Sequence, residues 1–259
     1  MVPEITISLV SVNQRHDMER LLPSLVTAAG RVRSEILLVD NRSLDGTGSW
    51  VERNYPIVNT IYNPGKAGYG ANHNLNLQRA RGRYFVIMNS DMTLSPEVFT
   101  TLQDYMDSRP DVGIVAPKVL NPDGSLQGLI KRYPTVWDLF LRRCMRGPLM
   151  RFFRCRIDRY EMRDVGYDRE CEVPFLSGAF MFCRSEVLKS LGGFDERYFL
   201  YFEDTDLCRR VQETHRTMYC PAATVTHFWG RAAHRSWIFS WIFVQSAWRY
   251  FRRWGWKLF

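Results

Sequence analysis

The chain has 259 residues, 46% of them hydrophobic, and carries a net charge of +8. That length can bury a full core as one large domain or one domain with an appendage. Three things are disfavoured: a secretory leader, because Met1-Val2-Pro3-Glu4 lacks a basic start and an apolar stretch, and a zinc site or redox motif, because the six cysteines form no C-x-x-C pair. The protein is expected in the cytoplasm, with its cysteines mostly free thiols serving as small apolar residues. The charge is local. Residues 131–169 hold 11 Lys/Arg against 5 Asp/Glu, residues 231–259 hold 6 against none, and the remainder is net acidic. Both basic stretches are rich in aromatics, which suits an anionic membrane surface or nucleic acid.

The run Ile5-Thr6-Ile7-Ser8-Leu9-Val10-Ser11-Val12 predicts a first strand ending at Asn13, and a helix follows to about Ala29, stopped by Gly30. Glu35-Ile36-Leu37-Leu38-Val39 is a second buried strand, ending in Asp40-Asn41-Arg42-Ser43-Leu44-Asp45-Gly46-Thr47. Strand, helix and strand at this spacing imply a right-handed parallel unit. Its strand ends, Asn13 and Asp40, lie at the switch point where α/β sheets bind nucleotides. Asp45 and Thr47 read as turn and cap residues of the next helix. Asp40 is placed to accept from the imide N–H of uracil or thymine, or from a ribose hydroxyl.

Residues 63–74, Asn63-Pro64-Gly65-Lys66-Ala67-Gly68-Tyr69-Gly70-Ala71-Asn72-His73-Asn74, form a glycine-rich loop that runs into a helix. Small residues let a backbone approach a diphosphate closely, although no Walker or G-x-G-x-x-G motif is present and a plain loop reads equally well. Tyr84-Phe85-Val86-Ile87-Met88 is a central strand that stops abruptly in Asn89-Ser90-Asp91. Asp91 is then a hard-metal ligand or a helix cap. The cap is not needed, because Ser95 with Pro96 already marks the next helix start.

Taken together, a first strand ending in Asn, the Asp40-Asn41-x-Ser43-x-Asp45-Gly46-Thr47 segment, Asn63 before Gly68-Tyr69-Gly70-Ala71-x-x-Asn74, and Asn89-Ser90-Asp91 resemble the family-2 glycosyltransferases of GT-A fold. More narrowly they resemble rhamnosyltransferase-like members that build bacterial surface polysaccharides, over roughly residues 5–236. The resemblance implies an α/β, Rossmann-like, mostly parallel central sheet with helices on both faces, plus a C-terminal amphipathic helical appendage. It implies a nucleotide site built from Ser11, Asn13, Asp40, Asn41, Ser43, Asn63, Gly68, Asn74, Asn89 and Ser90, with Mg2+ or Mn2+ at Asp91. The family's metal motif is often Asp-x-Asp or Asn-Pro-Asp, whereas this chain has Asn89-Ser90-Asp91, with Ser90 in the middle and Asp91 as the motif's one acid.

Further along, Val112-Gly113-Ile114-Val115-Ala116-Pro117 predicts another strand, and Asn121-Pro122-Asp123-Gly124 a turn. In residues 131–169, Trp137, Phe140, Met145, Leu149, Met150, Phe152 and Phe153 interleave with Arg142, Arg143, Arg146, Arg151 and Arg154. This reads as a basic flap, either solvated or touching lipid headgroups. Residues 174–182 are strand-like, and in the resemblance Ser177-Gly178 borders the sugar and acceptor. Glu203-Asp204 leaves an aromatic stretch at a helix start, where Thr205 or Asp206 is the expected cap. In the resemblance this is the family's Glu-Asp pair, with Asp204 the catalytic base and Glu203 raising its proton affinity. His227-Phe228-Trp229-Gly230 matches the family's His-x-x-Gly, which makes His227 a second metal ligand or a diphosphate contact.

Residues 236–248 carry no charge but fall short of the roughly 18 apolar residues of a spanning helix. Drawn as a helix, Trp237, Trp241, Val244, Trp248 and Phe251 share a stripe beside Arg249, Arg252, Arg253 and Lys257, as in an interfacial helix. Core packing or a homodimer would use the same stripe. The expected organisation is a GT-A domain over residues 1–230, with a nucleotide half (1–120) and an acceptor half (121–230), then a membrane-associating segment (231–259). The expected activity is inverting transfer of a sugar, L-rhamnose from dTDP-rhamnose by the resemblance, to a polyprenyl-diphosphate-linked saccharide at the inner face of the membrane. Rival readings are a nucleotidyltransferase, though Val12-Asn13-Gln14-Arg15-His16 lacks its phosphate-loop glycines, and a non-enzymatic membrane or nucleic-acid binder, which leaves the acids without a purpose. No nucleic-acid partner is expected.

Overall fold

The computed structural model describes residues 2–144, 151–228 and 237–259. Strands β1 (Ile5–Ser11), β2 (Ser34–Asp40), β3 (Val58–Tyr62) and β4 (Tyr84–Met88) alternate with helices α1 (Arg15–Ala29), α2 (Thr47–Asn54) and α3 (Tyr69–Arg79). These strands run parallel in the order β3-β2-β1-β4. Next come β5 (Met92–Leu94), α4 (Val98–Asp107), β6 (Val112–Leu120), β7 (Ile130–Lys131), α5 (Val136–Cys144), α6 (Arg154–Tyr160), β8 (Cys171–Glu172) and β9 (Phe175–Leu176). The chain closes with β10 (Phe180–Arg184), α7 (Ser185–Ser190), α8 (Glu203–Val211), β11 (Arg216–His227) and α9 (Trp237–Trp254).

The α/β expectation holds, but the sheet is mixed. β10 enters between β4 and β6 antiparallel to both, β11 runs parallel to β6, and β5 and β8 add antiparallel to β11. β7 and β9 pair in a separate two-stranded ribbon. Successive β4 side chains point to opposite faces. Tyr84, Val86 and Met88 pack in the cluster with α1 and α4, whereas Phe85 and Ile87 pack in the cluster with α3, α7 and α8. A strand dry on both sides reads as an unbroken apolar run, which is why β4 was legible.

Four local expectations are corrected. Ser95 does not cap α4, because its hydroxyl donates to Thr224 O (3.1 Å) where the β11–β6 register is irregular. Thr205 and Asp206 lie inside α8, whose flanking residue is Phe202, so neither is its cap. The flap is partly core: Leu141, Tyr160, Met162 and Tyr167 are buried, while Met145, Arg146, Leu149 and Met150 lie outside the described residues. On α9 the last turn rolls inward onto Tyr198 and Phe202, so Phe251 is 3% exposed while Trp237, Trp241, Val244 and Trp248 stay exposed. Arg253 turns in with it, to Asp195 (3.2 Å) and Asp206 (3.1 Å).

The two halves of the sheet are tied at the edge of β10 by Arg184, which is 5% exposed. It donates to the carbonyls of Val112 (2.8 Å), Met106 (2.6 Å) and Arg109 (2.8 Å). Arg184→Met fills much of the volume but leaves three carbonyls short of donors. We expect a loss of about 2–4 kcal/mol, read as a lower urea midpoint at unchanged m-value.

Candidate active site

The parallel strands end together, and their polar termini are cross-linked. Asn13 N donates to Ser43 Oγ (3.0 Å) and Leu44 N to Asn13 Oδ1 (2.6 Å), so the β1 and β2 ends are held side by side. Asn13 takes a φ of 53°, a left-handed conformation that Asn tolerates better than most residues. Asp40 has both oxygens engaged, by Ser43 N and by Gly48 N (2.7 Å each), so it caps α2 while Asp45 serves Thr47. A Cβ on residue 48 would lie 2.5 Å from Asp40 Oδ2, so only glycine admits this contact. Each Asp40 oxygen keeps a second lone pair beyond these bonds.

The glycine-rich loop is fastened to the same rim. Asn41 Nδ2 donates to Ala67 O (3.0 Å), and Asn63 Nδ2 to Asn72 Oδ1 (2.8 Å). Gly68 lies against Phe199, whose carbonyl a Cβ there would meet at 2.4 Å. Ser11 and Ser90 are buried with hydroxyls that find no partner. Asn74 is a correction: it is 5% exposed, and its amide bonds Phe194 at both N and O and also Glu196, so it clamps the 193–196 turn instead of facing a nucleotide.

At the end of β4, Asp91 meets His227 from the end of β11, with Oδ1 3.0 Å from Nε2. Phe228 N donates to Asp91 O (2.7 Å) and holds the two strand ends in register. A carboxylate oxygen and an imidazole lone pair at this distance need a proton or a cation between them. One hard oxygen and one nitrogen suit Mg2+ or Mn2+. Among the described residues no group of three or more His, Cys, Asp or Glu gathers, so those residues offer these two. Gly230, the other member of the His-x-x-Gly match, lies outside the described residues.

From this pair a line of polar contacts crosses the molecule. Asn89 Nδ2 lies 3.5 Å from His227 Nε2, and Tyr69 OH lies 3.1 Å from Asn89 Oδ1 and 2.7 Å from Gly178 O. Gly178 N donates to Asp204 Oδ2 (3.0 Å). Asp91, His227, Asn89, Tyr69, Gly178 and Asp204 thus share one site, as does Ser177 through its chain neighbour. Burial, and after it the negative charges of Asp204 and Asp91, push the Tyr69 phenol well above its ordinary range, so it remains a neutral donor.

Asp204 and Glu203 differ in surroundings. Burial raises both carboxyls, but Asp204 accepts from Gly178 N and Thr205 N (2.8 Å), whereas Glu203 is 5% exposed and its Oε2 has no partner. Glu203 therefore keeps the proton and Asp204 the charge, which reverses the expected direction of influence within the pair. Lys131, on β7, is pushed down to about 8 by burial and then by Arg142, with Asp204 and Glu161 holding it up. Motif reading missed Tyr69, Lys131 and Gln127. Tyr69 at least lay inside the quoted glycine-rich segment.

Residues 3–252 match the sequence family described as Glycosyltransferase like family 2. The chain is 28% identical over 240 residues to the N-acetylglucosaminyl-diphospho-decaprenol L-rhamnosyltransferase of Mycobacterium tuberculosis (strain H37Rv), covering 88% of this chain and 76% of that protein. It is 23% identical over 173 residues to the rhamnosyltransferase WbbL of Escherichia coli (strain K12), covering 63% and 62%. Among solved structures it superposes on the mannosyltransferase PcManGT of Pyrobaculum calidifontis in complex with GDP-Man and Mn2+. There the TM-score is 0.64 at 18% identity, covering 92% of this chain and 60% of that one. It also superposes on residues 1–349 of S. aureus TarS in complex with UDP-GlcNAc (TM-score 0.62, 16% identity, 96% and 66% covered). At those identities the structures speak for the fold alone, and this chain spans about two thirds or less of each.

A raised Glu203 has a sign that can be measured. Folding then costs most where the unfolded carboxyl is ionised, so its penalty is absent below the unfolded carboxyl's pKa and grows as pH rises toward the folded one. Glu203→Gln is expected to raise the melting temperature at pH 7 and to leave it unchanged near pH 4. An equal shift at both pH values would contradict a protonated Glu203.

Proposed function

The chain belongs to glycosyltransferase family 2, and on that premise we propose that it transfers a sugar, with inversion, from a nucleoside diphosphate donor to a polyprenyl-diphosphate-linked saccharide. L-rhamnose from dTDP-rhamnose is the donor favoured by the rhamnosyltransferase relatives. The observation that carries this reading is the run of close polar contacts from Asp91 and His227 through Asn89, Tyr69 and Gly178 to Asp204. It supports a reading in which a diphosphate-side pair and a carboxylate base act in one site.

In this reading residues 1–120 bind the nucleotide and residues 121–230 the acceptor. Ser11, Asn13, Asp40, Asn41, Ser43, Asn63, Gly68, Asn89 and Ser90 form the nucleotide's rim. Ser177 and Gly178 floor the sugar, and Asp204 takes the proton of the acceptor hydroxyl. That oxygen bonds to the anomeric carbon as the bond to the nucleoside diphosphate breaks. Asp91 and His227 would hold Mg2+ or Mn2+, which supplies neutralising charge for the departing diphosphate. The likeness to PcManGT, whose structure is in complex with GDP-Man and Mn2+, supports that choice by analogy.

We also assign the exposed face of α9 to the cytoplasmic surface of an anionic membrane, where a lipid-linked acceptor resides. No helix of the described residues is long and apolar enough to cross a membrane. The C-terminal tail packs on the flap helix: Val136 N donates to Lys257 O (2.9 Å), Trp137 N to Leu258 O (3.2 Å), and Trp137 meets Phe259. The two basic, aromatic stretches of the sequence therefore adjoin, and a surface of that composition suits lipid headgroups.

Asp204→Asn should lower turnover by at least about 10²-fold, the contribution expected of a general base. Stabilisation of the fold by the donor, read as a thermal shift across a panel of nucleotide sugars with and without Mg2+ and Mn2+, should survive. Normal turnover in that variant would overturn the base assignment. For the membrane, Trp241→Ser with Trp248→Ser should abolish cosedimentation with phosphatidylglycerol vesicles. Unchanged binding would refute the surface, and dimers without vesicle binding would give the stripe to a second copy.

A further inference from the structure

The turn after β6 has no part in the reading above, yet its hydrogen bonds end at His227. Gln127 is 7% exposed. Its Nε2 donates to Asn121 Oδ1 (2.7 Å) and to His227 O (2.8 Å), and its Oε1 lies 2.9 Å from His227 Nδ1. Turning the amide over would place its oxygen against two oxygens, so the orientation is over-determined. An oxygen opposite Nδ1 requires a proton on that nitrogen.

The direction is enforced from further back. Asp123 accepts from Ser125 N (2.9 Å) and Ser125 Oγ (2.6 Å), and these bonds hold its carboxyl below the usual range, so it is an acceptor only. Ser125 Oγ, with its proton committed to Asp123, accepts from Asn121 Nδ2 (2.8 Å). Asn121 is thereby turned with its oxygen toward Gln127. Every link from Asp123 to His227 points one way, and the last leaves Nε2 as the nitrogen that faces Asp91.

We propose that Gln127, oriented by the Asp123–Ser125–Asn121 turn, is a positioning residue that keeps the His227 proton on Nδ1 and so presents Nε2 to a divalent cation beside Asp91. Neutral imidazole binds metal through the nitrogen that carries no proton, and partners on the opposite nitrogen set both tautomer and ring orientation. The inference rests on the metal reading of Asp91 and His227, and its test separates the two.

Two readouts are taken on the full chain: Mn2+ affinity by electron paramagnetic resonance, and ring ¹⁵N spectra of His227 without metal. Wild type should show a proton on Nδ1. Gln127→Leu, similar in volume but without an acceptor, should weaken Mn2+ by about 10–100-fold and move the proton to Nε2, with circular dichroism unchanged. Should Gln127→Leu fail to fold, Ser125→Ala at the exposed end of the turn is expected to shift both readouts in the same direction by less. A bare Nδ1 in wild type, or a Leu variant with wild-type affinity and proton position, overturns the proposal. A wild-type protein that binds no Mn2+ overturns the metal reading, and the nitrogen spectra still judge the positioning.

Discussion

One phenolic proton joins the two halves of this protein. Tyr69 has a single O–H to give, and its oxygen stands between Asn89 at the end of β4 and the Gly178 carbonyl ahead of β10. Gly178 in turn offers its own N–H to Asp204. A side chain at residue 178 would press on Asp204 and Tyr69 at 3.3–3.4 Å, so the glycine sets how closely they approach. The distance from the Asp91–His227 pair to Asp204 therefore depends on few soft torsions, which is the rigidity that the proposed alignment of nucleophile and leaving group would need.

The Glu203-Asp204 pair comes at a conformational cost. Tyr201 and Phe202 take φ values of 70° and 67°, unusual for residues with bulky side chains, and Glu203 enters the interior without a counter-charge. What offsets this is packing from the chain's far end. Phe202 lies among Phe243 and Tyr250, and Asp206 on α8 accepts from Arg210, Arg253 and Trp254 Nε1. Arg209 adds its guanidinium over Tyr133, Tyr250 and Trp254. The C-terminal helix thus packs as part of the scaffold behind Asp204. Whatever its exposed face touches is one helix away from Asp204.

Three readings carried over well because each depends on local pattern. The apolar run of β4, the strand, helix and strand spacing of residues 5–40, and the acid or amide at each strand end all lie in consecutive residues, and hydrophobic period is a local signal. The glycine-rich loop was less legible. Asn63 and Asn74 look alike in sequence, yet one braces the loop and the other is spent on the backbone of Phe194, 120 residues away.

By itself, then, the sequence determined the parallel nucleotide-type half, the acids at its strand ends and the family. Those follow from side-chain period, turn chemistry and motif order. Only the tertiary structure decided that the sheet becomes mixed at β10, that Asp40 caps α2, that burial raises the Glu203 carboxyl beside an Asp204 held by two backbone N–H groups, and that Gln127 addresses His227 from 100 residues away. Each of these depends on which polar atoms meet once water is removed, and a buried donor or acceptor takes whatever partner the packing brings to it, near in the chain or far.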